Sequence, residues 1–255
     1  MEIFGLILLG IGGGLGWGHL KQKQRVKALI SADQATVSLV QSVAQDMGSL
    51  VYRAGLRGVV VCDQPITSEL AQEPCVYYSM TVTRQYEETR WRTNSKGERE
   101  QETVRGSSTE ASNQRSIPFW LEDNTGRIRV LPDGAEFMAE TLLSRFEPEA
   151  MMGGMSLRVG GFTLRVGAGS GGRRTLGYQF EEKGIPVGRS VFILGEVTNP
   201  DGELQIHRPT QGRFVISSKP VEELIRGGQV MANGLLAGSV VTSVAGVVLL
   251  VLAVL

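Results

Sequence analysis

Val230 to Leu255 reads VMANGLLAGSVVTSVAGVVLLVLAVL, a run without a charged residue in which Asn233, Ser239, Thr242 and Ser243 are the polar side chains. As a helix it reaches about 39 Å, more than the roughly 30 Å of a bilayer's hydrocarbon core. Helix is the form expected, because hydrocarbon offers backbone N–H and C=O groups no partner outside the segment. The alternative is a core helix of a soluble protein, and those usually run about 8–20 residues. The stretch therefore predicts a membrane span and places the rest of the chain beside a bilayer.

The opposite end carries a weaker version of the same signal. Ile3 to Leu20 (IFGLILLGIGGGLGWGHL) lacks Lys, Arg, Asp and Glu but is diluted by glycine. It reaches about 27 Å as a helix. The chain starts Met1-Glu2, and its basic cluster, Lys21, Lys23, Arg25 and Lys27, follows the apolar run. A cleaved secretory signal, the alternative, has its basic residues first. An uncleaved anchor is expected. Lys219 and Arg226 precede the second span and nothing basic follows it. The positive-inside bias then places 21–229 in the cytoplasm and both termini outside, a multi-pass membrane protein with two spans. Gly10, Gly14 and Gly18 lie four apart, as do Gly12 and Gly16, and Gly234 and Gly238. That interval lets helix backbones approach in lipid and predicts pairing of the spans or self-association into a homo-oligomer.

Between the spans the chain is nearly neutral: all 26 Lys and Arg lie there, with every Asp and Glu except Glu2. Such a balance leaves no basic footprint, so nucleic acid is not an expected partner. Two cysteines, Cys62 and Cys75, and two histidines, His19 and His207, provide no zinc-finger or RING-type ligand set, so neither metal nor cofactor is expected.

Apolar residues at 37, 40, 43, 44 and 47 predict an amphipathic helix, with Asp33 as N-cap and Gly48 as stop. Strands are expected from Leu50 to Cys62, where β-branched residues dominate, and from Cys75 to Arg92, where Val76, Tyr78, Met80 and Val82 alternate with polar neighbours. Thr93 to Arg115 mixes charges without a period and predicts a solvated hairpin tip or mobile loop. Ser116–Leu121 and Arg127–Leu131 read as strands around the turn Glu122-Asp123-Asn124-Thr125-Gly126. Ala135–Phe146 reads as a helix or an irregular edge segment, and the glycine-rich Met151–Gly172 as a flexible connector. Strands return at 174–181, 190–198, 203–207 and 213–217. Lys219–Arg226 then predicts a short helix closed by Gly227-Gly228.

The expected architecture is a mainly β (α+β) membrane-adjacent domain flanked by two transmembrane helices. Its parts are a transmembrane helix at 1–20, a basic juxtamembrane segment and amphipathic helix at 21–49, the β-rich domain at 50–229, and a second transmembrane helix at 230–255.

The stretch Pro74-Cys75-Val76-Tyr77-Tyr78 is followed in order by Pro118-Phe119 with Leu121, Asp123 and Gly126. Glu182, Ile185, Gly188, Val191, Phe192 and Gly195 then keep a fixed spacing before Phe214, Ile216 and Ser217. In this order, between two apolar ends, the chain resembles the GIDE/BAM-domain family, the middle domain of MULAN-type membrane E3 ubiquitin ligases. The resemblance implies that the motif residues Pro74, Cys75, Tyr77, Tyr78, Pro118, Phe119, Asp123, Gly126, Glu182, Gly188 and Gly195 serve the fold. The four-residue spacing, independently of the resemblance, assigns Gly10, Gly14, Gly18, Gly234 and Gly238 to helix packing. In the ligases a zinc-binding RING domain follows the second span. This sequence ends at Leu255 and is expected to be a RING-less, prokaryotic-type member. In mitochondrial members the middle domain faces the intermembrane space, opposite to the side indicated here by charge.

The residues reveal no catalytic group. Cys75 opens an apolar strand, Glu181-Glu182 reads as a solvated strand end with a turn contact, and neither histidine has a nucleophile beside it in sequence. The function expected is a non-catalytic, membrane-tethered interaction module that contacts the lipid bilayer and an unidentified protein partner, and the resemblance implies a place in envelope stress or defence. One alternative is E3 ubiquitin-protein transferase-type activity, with Cys75 as the candidate acceptor. Another is an oligomeric span bundle that conducts or gates, against which the lack of intramembrane charge argues.

Overall fold

The alternating strand from Val51 to Val61 is the staple of a closed barrel. The computed structural model describes residues 2–30, 34–47, 51–93, 97–149, 156–165 and 173–254. In it, β2 (Val51–Val61) pairs with β6 (Phe119–Asp123), β6 with β7 (Gly126–Val130), and β7 in parallel with β14 (Gln205–His207). β14 pairs with β13 (Ser190–Thr198), and β13 returns to β2. Numbered along the chain, the ring runs first, second, third, fifth, fourth and back to first, the connectivity of five-stranded Greek-key barrels of the OB type. Each strand puts alternate residues inside: Ala54, Leu56 and Val60; Phe119 and Leu121; Ile128 and Val130; Val191, Ile193 and Val197; Ile206. Burying a side chain of this size contributes about 1.5–3 kcal/mol, so the period-two pattern also sets the strand register.

Short strands extend the barrel. β1 (Gln34–Ala35) runs parallel to β2, β15 (Val215–Ser217) pairs with β13, and β8 (Glu136–Met138) runs parallel to β15. Helix α2 (Val37–Met47) lies on the barrel with Val37, Val40 and Ala44 buried in its core. The helix is the one expected, but its expected caps Asp33 and Gly48 lie outside the described residues.

Two insertions build a second layer. Between β2 and β6 come β3 (Ile66–Thr67), β4 (Pro74–Thr93) and β5 (Arg99–Ser116); between β7 and β13 come β8, β9 (Glu140–Pro148), the hairpin β10–β11 (Ser156–Val159, Phe162–Arg165) and β12 (Arg173–Pro186). β3, β4, β12 and β9 form an antiparallel sheet, with β5 also paired to β4. The long strands β4 and β12 pass through both cores. Val76, Tyr77 and Ile185 join the barrel's, while Met80, Val82, Tyr178 and Phe180 join a second core containing Leu70 and Val159.

Three expectations for the middle of the chain are corrected. The polar stretch from Thr93 to Arg115 is largely strand β5, zipped to β4 from Tyr77↔Ser116 to Thr93↔Arg99. It lacks a hydrophobic period because it is held by its ladder and by cross-strand ion pairs such as Arg84–Glu110 at 3.0 Å and Arg105–Glu87 at 3.1 Å, rather than by burial. Ala135–Phe146 is neither helix nor irregular but the whole of β8 and most of β9. The described part of the glycine-rich connector is the β10–β11 hairpin, which covers the second core.

At the ends of the chain are α1 (Glu2–Ile30) and α3 (Val221–Val254), packed antiparallel. α3 runs through Gly227-Gly228, contrary to the expected stop. A glycine ends a helix by adopting positive φ, and neither of these does. Among the described residues no helix is long and apolar enough to cross a membrane. The side chains of the apolar run 248–255 lie outside that set.

Candidate functional site

Strand alternation places Tyr178, Phe180, Glu182 and Gly184 of β12 on its buried side, so a carboxylate enters the protein interior. Glu182 is fully buried, which corrects the solvated strand end read for it, while the turn contact expected beside that reading is present. Its Oε1 accepts the N–H groups of Glu69 at 2.9 Å and Leu70 at 3.0 Å, and its Oε2 accepts that of Ala71 at 2.7 Å. Three successive amides of the β3–β4 connection thus enclose one anion, and hydrogen bonds to a charged acceptor are the strong ones. The connection is fastened from other sides too. Ser68 Oγ accepts the Glu73 N–H at 3.1 Å, Tyr78 donates its hydroxyl to Glu69 Oε1 at 3.0 Å, and the Asn113 amide donates to the same oxygen. Gly161 N–H reaches Glu69 O at 2.8 Å from the β10–β11 turn. At the neighbouring Gly160, φ is +57° and a Cβ would overlap the Leu70 carbonyl, so both conformation and space require glycine there.

Cys75 lies under this connection and is fully buried. Burial and then the Glu182 charge push its thiol up to about 11, outweighing a hydrogen bond from the Tyr77 backbone. An acyl or thioester acceptor needs thiolate, and at neutral pH such a thiol is ionised to about one part in ten thousand.

Asp123 organises the other end of the barrel. Its Oδ1 accepts Thr125 N–H (2.7 Å), Thr125 Oγ1 (2.6 Å) and Gly126 N–H (2.9 Å), closing the β6–β7 turn. Its Oδ2 accepts the N–H of Val37 at 2.9 Å, while Thr125 Oγ1 accepts that of Ser38 at 3.0 Å. A hairpin 86 residues away therefore caps the first turn of α2. Burial pushes the Asp123 carboxyl upward. The hydrogen bonds from the Thr125 hydroxyl and from the Val37, Thr125 and Gly126 amides outweigh it and hold the group below its ordinary range. Gly126 fits beneath α2, where a Cβ would meet Val37 Cγ1 at 3.2 Å.

The remaining motif residues are spread through the barrel. Pro74 opens β4 and its carbonyl accepts Val187 N–H at 3.2 Å. Tyr77 stacks on Phe137 with ring centroids 3.7 Å apart. Pro118 precedes β6, and Phe119 is in the barrel core. Gly188 donates its N–H to Val60 O at 2.8 Å, and Gly195 lies against Ile206 and His207. His207 bridges Thr198 Oγ1 at 3.0 Å and Arg208 O at 2.9 Å, both ring nitrogens engaged.

In the helix pair, the close approach is centred on Gly12 and Gly16. A Cβ on Gly12 would overlap Ser243 Oγ, and one on Gly16 would meet Ser239 Oγ at 3.3 Å. Gly18 and Gly238 lie against Leu235 and Leu15, whereas Gly10, Gly14 and Gly234 have open space within 4 Å and are not at the seam. Two residues of helix turn through about 200°, which puts Gly10 and Gly14 on the side opposite Gly12. Polar atoms close the seam: Ser239 Oγ donates to Gly12 O at 2.9 Å and His19 Nδ1 to Ala232 O at 2.7 Å.

Among the described residues no group of three His, Cys, Asp or Glu side chains could hold a metal ion. The arrangement as a whole does mechanical work: two carboxylates, Glu182 and Asp123, fix the β3–β4 connection and α2 to the barrel. Sequence reading placed Glu182 among the motif residues with a turn contact but missed its burial. Extending the two-residue period of Tyr178 and Phe180 by one step finds it.

Comparison with known proteins places this geometry. The family model GIDE, described as E3 Ubiquitin ligase, matches residues 87–252. E3 ubiquitin-protein ligase SPL1 of Arabidopsis thaliana is 23% identical over 210 residues, covering 80% of this chain and 53% of that relative. E3 ubiquitin-protein ligase SP1 of the same plant is 26% identical over 213 residues, covering 81% and 52%. The chain thus spans about half the length of the curated relatives it matches. No solved structure matches it.

Proposed function

We propose a function from one premise: the chain belongs to the GIDE family. It acts as a non-catalytic, membrane-tethered interaction module, its barrel held at the bilayer by a hairpin of α1 and α3 and offered to a protein partner. The observation that carries this reading is the inside-out character of the helix pair. Of the exposed large apolar side chains described, Leu39, Val59, Trp91 and Phe146 are the ones outside α1 and α3. Phe4, Ile7, Ile11, Trp17, Val240, Val241, Val244 and Val247 are among those on the two helices. Polar atoms, by contrast, turn inward to the seam at Ser239 and His19. A pair packed this way suits a hydrocarbon surrounding, where polar groups are satisfied between helices. α3 continues through the apolar residues 248–254, and Lys21, stacked 4.6 Å over Trp17, suits the headgroup level of the first span. The flanking cations support a barrel on the cytoplasmic side with both termini outside.

Alkaline carbonate extraction of vesicles carrying the full chain tests the tether, and the protein is expected in the pellet. Recovery in the supernatant overturns the reading. Protection of residues 94–96 from external protease in sealed cells tests the topology, and cleavage there refutes it.

A second reading takes up the ligase description of the family and of the two plant relatives: the chain supports ubiquitin transfer. Cys75 is a poor acceptor for the reasons of burial and charge given above, so this reading assigns the chain the recognition part of such a reaction. Discharge of ubiquitin from a loaded conjugating enzyme, accelerated by the purified chain and abolished in Cys75→Ser, would favour direct transfer instead.

A further inference from the structure

α1 and α3 keep one register along their seam. Gly12 lies against Ser239, Thr242 and Ser243, Leu15 against Gly238, Gly18 against Leu235, and His19 Nδ1 donates to Ala232 O. Each step forward along α1 is a step back along α3, and about two further turns set Lys21–Lys27 beside Arg226–Ala232. Ala232 and Gly228, four apart on α3, are both buried, while Gly227 has open space within 4 Å. This stretch of the pair holds the cations Lys21, Lys23, Arg25, Lys27 and Arg226, and no acid. Glu222 and Glu223 come about one turn farther from the apolar sections, where Lys219 Nζ bonds Glu223 Oε1 at 2.9 Å.

The height of these cations follows from the helix rise. Trp17, 65% exposed at the end of the apolar part of α1, carries Lys21 Nζ 4.6 Å from its ring centroid, a pairing that suits a membrane boundary. From Lys21 to Lys27 the helix climbs about 9 Å, and a headgroup layer is about 5–8 Å deep. The five cations thus share the height of lipid phosphates. Lys21, Lys23 and Arg226 are exposed there. Positions two apart on a helix lie about 200° apart, so Lys21 and Lys23 stand on different sides of α1, and Arg226 adds a cation from α3. The result is a collar around the pair rather than a stripe on one helix. It selects among headgroups by charge. A zwitterionic headgroup answers its own phosphate with its own cation, whereas a net-negative one gains from each Lys or Arg within reach. With 26 basic and 26 acidic residues overall, the remainder of the chain is net acidic, so the excess is local to the collar.

We propose that this collar is a binding site for anionic phospholipid, gathering net-negative headgroups around α1 and α3 where the pair leaves the hydrocarbon. The inference rests on the membrane reading of the two helices and names the class of lipid they select. Each cation at the surface contributes up to about a fivefold preference for a negative headgroup.

Trp17 reports the lipid beside the collar once Trp91→Phe and Trp120→Phe remove the other two indoles. The full chain with both changes is placed in nanodiscs of phosphatidylcholine containing a minority of phosphatidylglycerol. Each lipid in turn carries bromine on its acyl chains, which quenches indole on contact. The expected result is quenching by brominated phosphatidylglycerol as though its share beside Trp17 were about three- to fivefold its share of the disc. That excess fades from about 0.1 M to about 1 M salt, as the Debye length shrinks from about 10 Å to about 3 Å. It also falls to the bulk share when Lys23→Gln, Arg25→Gln and Lys27→Gln are combined, a variant that keeps Lys21 on Trp17, and by about half in Arg226→Gln. Equal quenching by the two brominated lipids overturns the proposal and leaves the membrane reading standing. Silence of both removes the membrane reading and the proposal with it. An excess that survives about 1 M salt, or that the triple variant retains, also overturns it, and an excess unchanged in Arg226→Gln overturns the sharing of the collar by both helices. The salt series uses the unaltered collar, so it decides even where the triple variant fails to insert.

Discussion

Replacing Glu182 by glutamine changes one atom and tests whether the carboxylate holds the β3–β4 connection. The wild-type group accepts three amide hydrogens, two on Oε1 and one on Oε2, and Leu70 among the donors is buried. In Glu182→Gln the amide oxygen can face Glu69 and Leu70, but its NH₂ then meets the Ala71 N–H, donor against donor. One charge-assisted bond of about 1.5–3 kcal/mol is lost, and the other two weaken toward the roughly 1 kcal/mol of neutral bonds. Because the two remaining bonds weaken only in part, the net local cost is about 2–4 kcal/mol, a large part of the roughly 5–15 kcal/mol that holds a domain together. Hydrogen exchange of the peptide 66–74 reads it directly. Opening that is 2–4 kcal/mol easier raises exchange at Glu69, Leu70 and Ala71 by roughly thirtyfold to a thousandfold. A second readout is the Cys75 thiol: the Glu182 charge helps raise it to about 11, so the substitution lowers the pH at which it titrates. Exchange within about twofold of wild type, together with an unmoved thiol, would show that the three contacts carry no load.

Other perturbations follow from the same geometry. Asp123→Ala removes the acceptor of the Val37 N–H at the start of α2 and the turn contacts, and costs about 1–2 kcal/mol in thermal or urea unfolding. Because the folded carboxyl sits below its ordinary range, its stabilisation is present above the unfolded value of about 4 and fades as pH falls through the lower folded value. Wild type and variant should therefore converge in strong acid, and a gap that persists there refutes the account. In the helix pair, Gly12→Val costs about 1–3 kcal/mol by pushing α3 away from α1 at Ser239, Thr242 and Ser243, while Gly14→Val stays within about 0.5 kcal/mol. Engineered cross-links between α1 and α3 report both, and equal effects would misplace the seam. Iodoacetamide at pH 8 spares Cys75 in the native chain and labels it after unfolding. Rapid native labelling of that residue would contradict its burial.

The alternation at Val76, Tyr78, Met80 and Val82, the turn Asp123 to Gly126, and strand 190–198 were all legible along the chain, since each pattern repeats within a few residues. Strand β5 was not, because its eighteen residues bury almost nothing and are set by pairing with β4. The roles of Glu182 and Asp123 were hidden for a related reason. Glu182 meets its amide donors 111 to 113 residues earlier and Asp123 meets Val37 86 residues earlier, so neither partner lies in any local window.

By itself, then, the sequence determined the apolar ends, the β-rich middle and the order of family motifs, all properties of composition and short period. The tertiary structure alone decided that five separated strands close into a ring, that the helices meet at Gly12 and Gly16 rather than at Gly10 and Gly14, and that a buried carboxylate anchors a loop. Those outcomes depend on which distant surfaces come together, and hydrophobic period specifies only which face of an element is buried, never which partner covers it.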